Sequence, residues 1–359
     1  MKGKAKWVVT LAVLVVLGCF LNIAAKNATA DSTATPQPDS TSKPNKDYIK
    51  WVDFDVTYVA LEDAYQYDVE SYKSDVHVNW IELLAYLGAK YGGDFKNYNK
   101  KDIESVVTVL KEKSETMESL TSNMKYYNYY LHAYTAILGG FVGEYEIEAN
   151  QGENDQKQWE KKYGLKAFLP VAKNFPYSDF DDFGVARSYG YRRQHLGHDM
   201  MGQVGTPIVA VESGYVEAMG WNQYGGWRLG IRSFDGTRYY YYAHLRKNFP
   251  YCKELCVGSV VTAGDVIGYM GRTGYSAKEN TNNIDTSHLH FGLQLIFDES
   301  QKEGNNEIWV DCYQLMKFLY KNRCETVKNA ETKEWKRICQ MKDPAVENYQ
   351  KTLQQQNES

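Results

Sequence analysis

The run HLHFGLQL at 288–295 constrains this chain more than any other segment. In a β-strand successive side chains point to opposite faces. His288, His290, Gly292 and Gln294 then share one face, and Leu289, Phe291, Leu293 and Leu295 share the other. The leucine face requires a hydrophobic core behind it. The other face projects two imidazoles side by side into whatever lies in front. Such a strand belongs in an antiparallel sheet with a core on one side and a site on the other.

A second histidine-rich element, HLGHD, occupies 195–199. The spacing of His195 and Asp199 suits a helix or a loop, and Gly197 argues for the loop. His198 is adjacent to Asp199, which makes it awkward for both to hold one ion, so His198 is read as structural or as a neighbour of the ligands. In TRYYYYAHL, at 237–245, alternation puts His244 on the same face as Tyr242 and Tyr240. His244 is expected to act beside a reacting carbonyl, with Tyr242 as a substrate or oxyanion contact. Five of the seven histidines lie between 195 and 290. Two imidazoles and a carboxylate make a three-ligand set for zinc with one open position, the inventory of a hydrolytic metal site. His77 and His132 have no ligand-spaced company and read as structural.

A chain of 359 residues suffices for one large domain or two ordinary ones, and 43% hydrophobic with 24% charged residues excludes disorder throughout. A net charge of −4, with no basic track beyond the extreme N-terminus, gives no reason to expect nucleic acid as a partner. The 30 tyrosines are read mainly as core and strand residues. Six cysteines are too few for a disulfide scaffold in this length, although Cys252 and Cys256 in CKELC could pair.

The texture changes along the chain. Lys2, Lys4 and Lys6 precede an apolar run at 7–25 and a small-x-small site at Ala28-Thr29-Ala30. Residues 1–30 thus read as a signal peptide or an uncleaved signal anchor, and both place the bulk outside the cytoplasm. Residues 31–47 are a Ser/Thr/Pro linker. Residues 48–150 carry helical periodicity, as in WIELLAYLGAKYGG at 80–93, where Gly92 and Gly93 mark a stop. The segments 102–120 and 124–145 continue that pattern. From 165 to 300 short β-rich runs alternate with glycine turns, predicting a mostly antiparallel β domain. Two hairpins are expected there, one through Ser213-Gly214 and one with a two-residue Asp235-Gly236 turn. Residues 301–359 form a helical extension, ending in a frayed polar tail over the last 15 residues.

HLGHD, GTP at 205–207, YAHL at 242–245, GDVIGYMGRTGYS at 264–276 and HLHF at 288–291, in this order, resemble the lysostaphin-type zinc endopeptidases of bacterial cell walls. The resemblance covers about residues 190–296. Within that family the overall likeness is to the L-alanyl-D-glutamate endopeptidases of sporulation. The resemblance implies a multidomain α and β chain: an N-terminal membrane segment, a small helical region and a C-terminal, mostly antiparallel β peptidase domain. It implies zinc on His195, Asp199 and His290, with His288 and His244 as the unliganded catalytic pair. One of these two histidines would take a proton from the attacking water, and the other would donate to the oxyanion. It further implies the peptidoglycan stem peptide as substrate, cut between L-Ala and D-Glu, in spore cortex maturation. The enzyme would be extracytoplasmic, anchored or secreted, at the forespore envelope. A cross-link-cleaving endopeptidase and a non-catalytic wall-binding scaffold are the competing readings. The stretch AKENTNNIDT at 277–286 is longer than in many relatives and is expected to shape substrate selection.

Overall fold

Helices come first. The computed structural model describes residues 48–149, 158–188, 192–302, 304 and 306–358. It opens with α1 (Tyr58–Ser71), α2 (Trp80–Tyr91), α3 (Lys100–Lys111), the short α4 (Met117–Thr121) and α5 (Tyr127–Leu138). Thr57, Asn79, Asn99 and Thr116 accept hydrogen bonds from first-turn N–H groups of α1 to α4. These donors have no partner inside a helix, so the caps fix where each one starts. α2 stops at Gly92, as its sequence predicts. The stretch 102–120 is not one helix: Lys113 turns left-handed at φ 56°, and Thr116 starts α4 afresh.

The helical pattern gives way before residue 150. β1 (Val142–Ala149) pairs antiparallel with β2 (Gln158–Leu165), ahead of the expected start of β structure. Glu144, Glu146 and Glu148 alternate with Tyr145 and Ile147, a period of two.

The β region then contributes β3 (Tyr177–Asp179), β4 (Ala186–Ser188), β5 (Arg192–Gln194), β6 (His198–Gly202), β7 (Pro207–Val209), β8 (Gly214–Asn222) and β9 (Gly226–Ser233). It continues with β10 (Arg238–Ala243), β11 (Val260–Val261), β12 (Val266–Tyr269), β13 (His288–Leu295) and β14 (Ile308–Trp309). An eight-stranded sheet runs β11-β8-β9-β10-β13-β6-β3, with β14 also paired to β13. Each pairing in it is antiparallel. β13 is central: His290 faces Ala243 of β10 on one side and Asp199 of β6 on the other. Leu289, Phe291, Leu293 and Leu295 are wholly buried, as the alternation of this run requires. One hydrophobic cluster joins Trp80, Leu84 and Tyr134 of the helices to Leu229, Phe291 and Leu293 of the sheet.

One expected hairpin is absent, and the other, β9–β10, forms with a longer turn. β7 and β8 do not pair with each other: β7 pairs with β12, and β8 with β9 and β11. The β9–β10 connection spans 234–237 rather than two residues. Asp235 closes it by accepting from the Thr237 N–H and the Ser233 hydroxyl, and Gly236 alone has positive φ.

After the sheet, α6 (Tyr313–Leu319) packs on the helices, with the Phe318 ring 5.6 Å from Tyr65 and 5.8 Å from Trp80. β15 (Thr326–Lys328) and β16 (Trp335–Arg337) form a hairpin, and β17 (Met341–Lys342) joins β1. The expected polar tail is instead helix α7 (Pro344–Glu358). Its Tyr349 stacks on Tyr215 at 5.6 Å and on Phe234 at 4.5 Å, so one aromatic docks an otherwise polar segment. Cys252, Cys256, Cys312, Cys324 and Cys339 are free thiols. Among the described residues no helix is long and apolar enough to cross a membrane. The targeting segment at 1–30 and the linker at 31–47 lie outside the described residues.

Candidate metal centre and cleft

β6 and β13 set the two ends of the site against each other. His290 is directly opposite Asp199 in the antiparallel register, so their side chains share one face of the sheet. His195 precedes β6 in a loop that turns back over β13. A Cβ at Gly197 would lie 2.5 Å from His290 Cε1 and 2.8 Å from the Phe291 carbonyl oxygen, so only glycine permits this approach. His195 Nε2 lies 3.1 Å from Asp199 Oδ1 and 3.0 Å from His290 Nδ1. His290 Nδ1 lies 2.8 Å from the same Asp199 oxygen.

One donor atom from each of the three lies within 4.8 Å of the others, and no second group of this kind occurs among the described residues. Two imidazole nitrogens and a carboxylate oxygen fit zinc in donor type and number. Burial works against the Asp199 charge, but hydrogen bonds from His195 and His290 outweigh it and hold the carboxyl well below the usual range. Burial also lowers His290, against the pull of Asp199, and so favours the neutral ring that a metal needs.

Two residues that carry no sequence signal hold this trio. Arg187 donates to Asp199 Oδ2 at 2.7 Å and also to Asp182. His195 Nδ1–H donates to the Asp182 main-chain carbonyl at 3.2 Å, and the Asp182 carboxylate Oδ2 lies at the same distance. A hydrogen bond at Nδ1 leaves the Nε2 lone pair facing the trio. Both residues sit in YSDFDDFGVARS, which has no ligand-like spacing. His198 points to the other side of β6, where Nε2 lies 2.9 Å from Asp179 Oδ2.

His288 and His244 stand beside the trio. His288 Nδ1–H donates to the Thr286 carbonyl at 2.8 Å, and His288 Nε2 lies 3.7 Å from Asp199 Oδ2. His244 Nδ1–H donates to the Thr273 carbonyl at 2.8 Å. Each backbone carbonyl fixes its ring as the tautomer with a bare Nε2. The two ring centres are 4.7 Å apart, and His244 is 5.8 Å from His290. Burial and the neighbouring His288 and His290 lower the His244 pKa well below its ordinary value.

Tyr242 is not at the site. β10 ends at Ala243, and His244 adopts φ 59°, which breaks the alternation. Tyr242 therefore points into the core, wholly buried, and its hydroxyl accepts from the Val211 N–H at 3.1 Å. Tyr239 and Tyr241 face the site instead, with the Tyr241 ring 6.0 Å from that of His290. A cleft of about 500 Å³ takes in His195, His244 and His290 and extends to Tyr239, Arg193 and Arg228. The 277–286 loop beside it is tied down. Asn280 Oδ1 accepts from Trp227 Nε1 at 2.9 Å and from the Asn248 N–H at 2.8 Å.

Comparison with known proteins locates the family. Residues 193–304 match the profile described as Peptidase family M23. The chain is 38% identical over 131 residues to the L-Ala–D-Glu endopeptidase of Bacillus subtilis, covering 36% of this chain and 38% of that protein. It is 38% identical over 98 residues to lysostaphin of Staphylococcus simulans, covering 27% of this chain and 17% of that one. The chain thus spans well under half the length of these relatives. A solved Ruminococcus gnavus structure, described as a candidate glycyl-glycine endopeptidase lytM, is 26% identical with a TM-score of 0.49. The match covers 79% of this chain and 96% of that one. This chain carries a peptidase family M23 domain.

Proposed function

We propose that the protein is a zinc-dependent peptidoglycan endopeptidase. It cuts the muropeptide stem between L-Ala and D-Glu during maturation of the spore cortex. The observation that carries this reading is the convergence of His195, Asp199 and His290 in a cleft, beside two histidines whose Nε2 atoms are bare. The bond assignment draws support from the likeness to the Bacillus subtilis L-Ala–D-Glu endopeptidase. Residues 1–30 would deliver the enzyme across the membrane or hold it there.

His195, Asp199 and His290 would hold the zinc. Bound there, zinc supplies Lewis acidity and makes water a nucleophile near neutral pH. His288 and His244 do the proton work. One accepts the proton of the attacking water at Nε2 and passes it to the departing amine. The other, once protonated, donates from Nε2 to the oxyanion of the tetrahedral carbon. Arg187 and Asp182 keep Asp199 and His195 in place.

The test is mass spectrometry of soluble muropeptides after peptidoglycan is incubated with the purified protein, with and without a zinc chelator. Chelator-sensitive fragments that begin at D-Glu, with single L-Ala left on the glycan, are the expected result. Loss of cross-linked dimers would instead identify a cross-link endopeptidase. No chelator-sensitive product from wall or stem peptide would favour a wall-binding scaffold.

A further inference from the structure

Two guanidinium groups line the cleft without a carboxylate partner among the described residues. Arg193 of β5 lies 5.0 Å from the centre of the Tyr275 ring. Arg228 of β9 is half-buried, and its Nε is sealed from solvent with no hydrogen-bond partner. Both share the cleft with His195, His244 and His290. The other cations there are spoken for: Arg187 by Asp182 and Asp199, and Lys302 by Glu217 at 2.5 Å. Gly230 makes room for the Tyr239 side chain, since a Cβ there would fall on the Tyr239 hydroxyl. Burial keeps that hydroxyl protonated, against the pull of Arg228, so it too can donate. The cleft therefore offers donors and positive charge to a bound peptide, with part of that capacity unused.

We propose that Arg193 and Arg228 form a carboxylate subsite that selects an acidic residue of the peptide next to the bond cut. The inference rests on the peptidase reading above. Guanidinium groups bind carboxylates through paired N–H donors. A carboxamide at that position still accepts one hydrogen bond through its oxygen, but it carries no charge and sets an NH2 against the second guanidinium donor in a partly desolvated cleft, a mismatch that an enzyme discriminates against. A glycine-only peptide offers them nothing.

The experiment uses the full chain and two peptides, Ala–D-Glu with a free side carboxylate and its carboxamide counterpart. The wild type should prefer the acid in kcat/KM by about 10- to 100-fold, mainly through KM. Arg228→Gln and Arg193→Gln should each reduce that ratio, and Arg228→Lys should restore part of it. Metal analysis and thermal melting establish that the variants are folded and loaded. A wild type that treats acid and amide alike overturns the subsite, whatever the variants do. So does a ratio unchanged in both folded variants. Calorimetry with the chelator-treated protein measures binding of the same peptides without turnover. If neither peptide is cut but the acid binds more tightly in an Arg228-dependent manner, the endopeptidase reading fails and the subsite stands. If the peptides are cut without preference, the subsite fails and the endopeptidase reading stands.

Discussion

His290 meets three constraints at once: it faces Asp199 across the β6 register, Ala243 across the β10 register, and Gly197 in the overlying loop. Replacing it with alanine removes a donor from the only such trio among the described residues. On the proposed reading, His290→Ala should lose stoichiometric zinc and with it hydrolysis, as read by metal analysis and muropeptide release. His288→Ala should retain zinc but lose turnover by about 10²- to 10⁴-fold, the usual worth of a positioned acid or base. A His288→Ala protein with wild-type activity would remove His288 from the proton work. Gly197→Ala probes the close approach itself. One of the atoms its Cβ would strike is the Phe291 carbonyl, which cannot rotate away. Zinc affinity should fall roughly 10- to 100-fold, comparable to the loss of a residue that orients a ligand. Unchanged affinity in a chelator competition would mean that the loop has another way over β13. Spacing singles out His195, Asp199, His288 and His290, because strand periodicity acts over a few residues, while the choice of His195, Asp199 and His290 as ligands comes from the family resemblance. Alternation puts Tyr242 at the site only if it runs on through His244, and the positive φ of His244 ends it. Arg187 and Asp182 were illegible because they meet their partners only after the loop folds back.

One buried guanidinium ties the last turn of α5 to the start of β10. Arg238 is buried there. Its Nε and Nη2 donate to the two oxygens of Glu212 at 2.7 and 3.1 Å, and Nη1 donates to the Ala136 carbonyl at 2.9 Å. A cation at a helix C-terminus is favourable, and here it also joins the helix to the sheet. Glu212→Ala leaves the guanidinium buried without its main counter-charge, and unfolding in urea should show a loss of about 3–5 kcal/mol. Replacing both partners with methionine should cost less than that single change, since no charge is then stranded. A single-variant loss below about 1 kcal/mol would mean that Asp235, 2.7 Å from Nη2, is a sufficient partner. No pattern in the sequence pairs residues 212 and 238. Periodicity did find α2 and β13, but it missed the break at Lys113 and the switch to strand at Val142, where helical and two-residue periods overlap.

The whole molecule behaves as more than a peptidase with an appendage. Texture divides the sequence into a helical region and a β region, and a division of that kind suggests a removable docking or inhibitory module. The buried side chains describe something else. Leu61, Leu84, Leu87, Phe95 and Tyr134 are wholly buried within the same hydrophobic cluster as Leu229, Phe291 and Leu293. Residues 48–359 form one compact unit. Removing the helices would uncover apolar surface that this cluster now hides, and a fully buried Leu or Phe side chain is worth about 1.5–3 kcal/mol. Several such losses exceed the stability of an ordinary domain. A chain lacking residues 48–140 should therefore fail to give a cooperative melt and should aggregate. In the intact chain, helix loss followed in the far ultraviolet and tyrosine packing followed in the near ultraviolet should share one transition. Two separate transitions, or a shortened chain that stays soluble, binds zinc and melts sharply, would show that the β region supports itself and would return the helices to the status of a detachable module.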